Sequence, residues 1–471
     1  MDAKEQQAFE ELAKLKLEDG EEQGSSQNNG ATSNNDTKEN INVVFIGHVD
    51  AGKSTLGGQL LYLTGMVDKR TLEKFERESK EMNRESWYLS WALDTNDEER
   101  SKGITVECGR AHFETDRRRF TVLDAPGHKN YVPSMISGAA QSDVAVLVIS
   151  ARKGEFETGF EKGGQTREHA TLAKTLGVKR LIVVVNKMDD PTVNWTKERF
   201  EECVEGVSPF LRSLNFNLKP GGDVEFIPIS GLKGHNIKEL VPSNICPWYK
   251  GPTLLHYLDE LMPSIERRLD ASFLMPVSGK YRDLGTVVTG KIESGQIRKG
   301  DTLMLMPNRQ STEALAVFIE ENEVRQARSG DNVRIRLKGI EEEEVTTGFV
   351  LCDPIRPVKA TTAFIAQLVI MQIKNILTSG YKAVMHIHSA SEEVTIAALL
   401  NTVDKKTMTK SARPPVFVRQ NDIVIAKIEC HGAVCLEAAS DCDPLGRFTL
   451  RDEGKTIAVG KVLQVLSTEI D

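Results

Sequence analysis

An α/β doubly wound nucleotide-binding domain followed by two all-β barrel domains is the fold class this sequence predicts, on three observations. Apolar strands alternate with helical stretches from Asn42 to about Leu261, the spacing of a parallel sheet covered on both faces. A glycine-rich turn, GHVDAGKS at Gly47 to Ser54, joins the first strand to the first helix. After Pro263 the helical runs vanish, and short apolar strands punctuated by Gly and Pro continue through the rest of the chain.

Strands are expected near residues 42, 110, 120, 144, 181 and 225. The turn after the first fits G-x-x-x-x-G-K-[ST] in the context that gives that pattern meaning. Gly47, His48, Val49, Asp50, Ala51 and Gly52 supply backbone NH groups that curl around phosphate oxygens, and the helix N-terminus adds partial positive charge. Lys53 reaches the β and γ phosphates, and Ser54, followed by Thr55, offers a hydroxyl to Mg2+. The segment identifies a P-loop.

DAPGH (Asp124 to His128) follows the apolar strand Phe120 to Leu123. A carboxylate at that strand end holds Mg2+ through water. Gly127 exposes an NH to a γ phosphate, and His128 is the candidate catalytic residue, orienting the attacking water. NKMD supplies Asn186, Lys187 and Asp189 after the LIVVV strand. Asp189 accepts hydrogen bonds from the two donors on guanine's edge, a pattern adenine lacks. Ser230, Gly231 and Leu232 complete the base pocket, so the predicted ligands are GTP, GDP and Mg2+ and the predicted activity is GTP hydrolysis.

The insert from Met66 to Gly103 is too long for an ordinary connection and is the candidate switch. Thr105, in GITV, is expected to ligate Mg2+ in the GTP state and to let go after hydrolysis. Trp87 and Trp91 within the insert read as packing anchors.

With 471 residues and 39% hydrophobic content, about three domains are expected. The boundaries read as a disordered acidic N-terminal extension at 1–40, a nucleotide domain at 41–265, and barrels at 272–357 and 358–467. Residues 1–40 hold ten acidic and four basic side chains, so most of the net charge of −8 sits there. A short amphipathic stretch at Phe9, Leu12, Ala13 and Lys16 gives that arm something to dock with. The remainder is nearly neutral, and only local clusters such as Arg117, Arg118 and Arg119 offer charge to RNA. Seven cysteines without a CxxC pair argue against a disulfide framework and for a reducing, cytoplasmic setting. No apolar run approaches ~18 residues, so no membrane association is expected.

GHVDAGKS, GITV, DAPGH, NKMD and GQTREH (Gly164 to His169), followed by two barrels, resemble the translational GTPases related to elongation factor Tu. ALDTN (Ala92 to Asn96), CGRAHFET (Cys108 to Thr115), CPWY (Cys246 to Tyr249) and GRFTLRDEGKTIAVGKV (Gly446 to Val462) are similar to the eukaryotic branch that serves peptide chain release. Ala51, where bacterial factors carry His, agrees with that branch. The resemblance implies a class II release factor acting in translation termination. Its implied partners are a class I peptide chain release factor, held through the C-terminal barrel, and the ribosome with its rRNA; DNA is not among them. Arg447, Phe448, Leu450 and Arg451 are the expected partner contacts. A ribosome-rescue GTPase and an aminoacyl-tRNA-carrying elongation factor of the same family remain open alternatives.

Overall fold

The computed structural model describes residues 38–82, 87–93, 99, 105, 108–160, 165–371, 373, 375–405, 407 and 409–466. Of the acidic arm expected at 1–40, residues 1–37, including the amphipathic stretch from Phe9 to Lys16, lie outside the described residues, while Glu39 and Asn40 already belong to the first strand.

Six strands form the first sheet: β1 (Glu39–Gly47), β2 (Gly109–Glu114), β3 (Arg118–Asp124), β4 (Val144–Ser150), β5 (Arg180–Asn186) and β6 (Val224–Pro228). Their order is β2-β3-β1-β4-β5-β6, parallel throughout except for the β2–β3 hairpin. Every residue of β4 is buried, as expected of a strand covered on both faces. The alternation of side chains divides the core in two. Val44, Ile46, Leu147 and Val183 pack under α3 (Val132–Ala140), α5 (Gln165–Thr175) and α6 (Lys197–Ser213). Val43, Phe45, Val146 and Val184 pack under α1 (Lys53–Leu63) and under Leu254 and Leu258. The insert contains α2 (Lys69–Glu81), capped by Asp68, whose carboxylate accepts from the Thr71 amide at 2.6 Å. A short helix, α4 (Glu155–Phe160), precedes α5.

The three arginines expected to offer charge to RNA are all paired within this domain. Arg118 is buried against Glu39 and the carbonyls of Leu258 and Met262, Arg119 bonds Glu114, and Arg117 reaches Glu260 at 3.7 Å. The hairpin is a structural joint, because its guanidiniums meet acids that approach only in the folded chain.

Two β domains follow. The first, from Leu274 to Cys352, is an eight-stranded sheet whose ladder stays open, wrapped around Met275, Val288, Leu305 and Ile335. The second, from Ala360 to Val465, closes as a six-stranded barrel around Phe364, Leu368, Met385 and Phe448. The first meets the nucleotide domain beside the start of β4. There Asp143 receives Arg267 at 2.8 Å and Lys291 at 3.0 Å, and Asn42 donates to Gly330 O at 2.9 Å. The barrel meets α5 instead.

Candidate functional site

Loops from the carboxyl ends of β1, β3, β5 and β6 surround one cavity of about 580 Å3. Val49, Asp50, Gly52, Lys53, Ser54, Thr55, Gly127, Asn186, Lys187, Asp189 and Leu232 line it, together with Thr105. The remaining expected ligand residues lie beneath or beside that lining. Gly47, Asp124, Ser230 and Gly231 are buried, while His48 and Ala51 face a smaller neighbouring cavity of about 440 Å3.

The first loop needs its glycines. Gly47 sits at φ 143, where an added Cβ would come within 2.2 Å of Val148 O. Gly52 at φ 93 would press a Cβ to 2.4 Å from Asn186 Nδ2. Lys53 is buried and donates to the carbonyls of Gly47 at 3.2 Å and His48 at 2.9 Å, folding its ammonium into the loop that it serves. Burial lowers its pKa below the ordinary lysine value, with Asp124 opposing.

Asp124 is wholly buried at the end of β3, and among the described residues neither carboxylate oxygen has a partner at hydrogen-bond distance. Burial pushes its pKa up to about 6, against the nearby Ser54 hydroxyl and Lys53 ammonium. A buried carboxylate left in this condition is costly without a cation. Ser54 Oγ and Thr105 Oγ1 stand 3.2 Å apart in the same corner. Oxygen donors from three separate segments fit a hard cation such as Mg2+.

Asn186, which lines the cavity, also crosslinks the loops around it. Its Nδ2 donates to Ala51 O at 2.9 Å, and its Oδ1 accepts from the amides of Gly231 and Lys187, each at 2.8 Å. One side chain thus ties the phosphate loop to both base-pocket loops and leaves Asp189 to face the cavity, with Lys233 at 3.7 Å from its carboxylate.

His128 stands apart from the cavity lining. It caps a short 3-10 turn, Lys129–Tyr131, and its Nδ1 accepts from the Asn130 amide at 3.3 Å, while its neighbour Gly127 lines the site.

Several lining residues belong to no motif. Trp87 and Ser90 come from the insert, so the tryptophan read as an anchor is also a wall. Glu155 holds Lys187 Nζ at 2.8 Å and Ser150 Oγ at 2.7 Å. Below the floor, His169 accepts the Gly47 amide on Nδ1 at 3.2 Å. Burial, and then the charge of Lys53, hold its pKa down to about 3.

The four residues expected to meet a protein partner are committed internally. Phe448 and Leu450 are barrel core. Arg451 bonds Glu168 at 3.3 Å, and Arg447 donates to Thr175 O at 3.3 Å. In the strand Arg447–Asp452 the apolar residues point into the barrel and the arginines turn toward α5, so the expectation of a free contact face is corrected.

A P-loop cradle, a buried cation-binding carboxylate and an Asp at the base pocket, at the carboxyl edge of a doubly wound sheet, define a guanine-nucleotide-binding P-loop protein. The chain matches the elongation factor Tu GTP binding domain over residues 38–264, elongation factor Tu domain 2 over 285–352, and the GTP-eEF1A C-terminal domain-like model over 363–463. It is 56% identical over 430 residues to the eukaryotic peptide chain release factor GTP-binding subunit of Kluyveromyces lactis, covering 91% of this chain and 61% of that one. It is also 56% identical to the subunit of the same name from Schizosaccharomyces pombe, with 91% and 64% covered. The S. cerevisiae Ski7 GTPase-like domain, bound to GTP, shares the fold at 19% identity and TM-score 0.75, over 90% of this chain and 97% of that one. The chain belongs to the elongation factor Tu-like GTPase family, with the release factor GTP-binding subunits among its relatives. It spans about three fifths of the length of those curated relatives.

Proposed function

We propose that this chain is a translation-termination GTPase, working with a class I release factor on the ribosome. The observation that carries the reading is the corner where Asp124, Ser54 and Thr105 present oxygens below a guanine-specific pocket, in a chain more than half identical to release factor subunits. GTP lies across the loops, with Asp189 accepting from the base and Lys53 turning from its two carbonyls to the phosphates. When bound, Mg2+ neutralises charge developing on the β and γ oxygens. The Thr105 hydroxyl senses the occupied corner through Ser54, and loss of the γ phosphate frees Thr105 and the insert behind it. Gly127 presents its NH to the γ phosphate, and His128 orients the attacking water once the ribosome has turned it inward. The class I partner is held by an outward face of the C-terminal barrel, and the setting is the cytoplasm.

The test is GTP turnover by the purified chain with ribosomes halted at a stop codon, with and without a class I release factor. Turnover should need both, and His128→Ala should lower the stimulated rate by about 100-fold or more while GTP affinity is kept. Stimulation by a rescue partner, or GTP-dependent capture of aminoacyl-tRNA in place of the release factor, would overturn the reading.

A further inference from the structure

The base side of the nucleotide cavity carries a charge network that no motif requires. Lys187 leaves the end of β5 at φ 62, a left-handed backbone uncommon outside glycine, and its side chain lines the cavity. That side chain ends on Glu155 of α4, whose Oε2 accepts from Lys187 Nζ at 2.8 Å. The same oxygen accepts from Ser150 Oγ at 2.7 Å, and Oε1 accepts from Arg152 Nη1 at 3.2 Å. Arg152 is held in turn by Asp190, the residue after Asp189. Ser150 and Arg152 thus fix the carboxylate before it meets the ammonium. Burial opposes its ionisation, yet Lys187, Ser150 and Arg152 hold its pKa below the usual glutamate value. A fully exposed ion pair is worth little, but this one stands in a cavity wall, with the Lys187 side chain only 22% exposed. With the ammonium committed to Glu155, what Lys187 offers the cavity is its aliphatic stem.

We propose that Glu155 is a positioning residue for the guanine base: it pins the Lys187 ammonium and so holds the lysine stem ready along one face of the purine. The inference rests on the nucleotide reading above and adds to it a residue that acts through another. A free lysine side chain has among the most rotamer freedom to lose on ordering, and a stem fixed before the ligand arrives spares that loss. The loop after β4 and the loop after β5 are joined twice, by Glu155 with Lys187 and by Arg152 with Asp190. The base side of the cavity therefore depends on the segment from Ser150 to Glu155, which contains none of the nucleotide motifs.

The experiment measures GDP affinity of the full chain by titration calorimetry, with thermal unfolding in the absence of nucleotide as the structural readout. Glu155→Ala frees Lys187 and should weaken GDP binding by about tenfold, the scale of a hydrogen bond to a charged group. Glu155→Gln keeps an accepting oxygen at that place and should stay within about threefold of the parent. Glu155→Asp keeps the charge but draws it back by one methylene, and should weaken binding by about fivefold. Lys187→Met keeps the stem and deletes the ammonium, so adding Glu155→Ala to it should change affinity by less than about twofold. Parental affinity in Glu155→Ala, failure of Gln to restore it, or full additivity with Lys187→Met overturns the proposal. A lowered unfolding midpoint in Glu155→Ala with unaltered GDP affinity marks a purely structural ion pair and overturns it too. If Glu155→Ala does not fold, Glu155→Asp carries the test, and parental affinity there overturns it. A parent chain that binds no GDP sinks the nucleotide reading itself. One that binds GDP while the Glu155 variants match it sinks only this inference.

Discussion

Asn186 shows how one side chain of a motif can also serve the fold. NKMD marks it for nucleotide binding, and its three hydrogen bonds run to protein backbone, two of them to loops 45 and 135 positions away. Asn186→Ala should therefore act by loosening three loops at once, lowering GDP affinity by about 100-fold as two long-range buried hydrogen bonds and one local one go unmade. Titration calorimetry checks this, and an affinity within about threefold of the parent would show that the loops hold themselves. Asp124, Ser54, Lys53 and Asp189 stood out as candidates because phosphate, cation and guanine chemistry demand those types at those places, and the fold gathers them around one cavity. Glu155 did not, since a carboxylate on a helix has no required spacing to mark it, and His169, though it closes the GQTREH segment, carried no expected role.

The β2–β3 hairpin departs from its sequence pattern because its arginines find acids within the fold. Three consecutive arginines look like a basic tip, but Glu114, Glu39 and Glu260 arrive from a neighbouring strand, from β1 and from the far end of the domain. Arg118, only 8% exposed, bridges β3 to the carbonyls of Leu258 and Met262. Arg118→Met should cost about 3 kcal/mol by stranding Glu39 and two carbonyls, read as a lower denaturant midpoint, whereas Arg117→Met should be near neutral because its pair is exposed. Equal effects would remove the distinction. In the insert, α2 buries only Ser79 completely and carries Lys69–Glu73, Lys74–Glu78 and Glu76–Lys80 along its surface. Such a helix stands on capping and propensity more than on a core, which suits the rearrangement proposed for the insert.

Asp143 fastens the first β domain and the connection before it to the nucleotide domain. Its carboxylate, 7% exposed, faces Arg267 of the interdomain connection and Lys291 of the first β domain, with the Asn42 amide at 2.9 Å and the Glu293 carboxylate beside Lys291. Burial opposes ionisation, yet Lys291 and Arg267 together hold its pKa well below the usual 3.8. The folded value lies below the unfolded one, so this contribution is complete above about pH 4 and is lost as pH falls further. Glu293 has the opposite sign, since burial raises its pKa, and it weakens the fold slightly as pH rises through the carboxylate range. Asp143→Asn should be about 3 kcal/mol less stable at pH 7, with the gap to the parent narrowing below pH 4. Thermal unfolding across pH 3 to 7 checks this, and a constant gap would remove Asp143 as the source. Composition, periodicity and four short motifs sufficed for the order of the nucleotide and β domains, the edge of the sheet that bears the cavity, and the candidate residues around it, because each follows from local spacing and unavoidable chemistry. Which acid neutralises which arginine, that GRFTLRD turns inward to grip α5, and that Gly47 hangs from His169, 122 positions away, were decided only when distant segments met in space. Contacts of that kind depend on tertiary packing and leave no period in the chain.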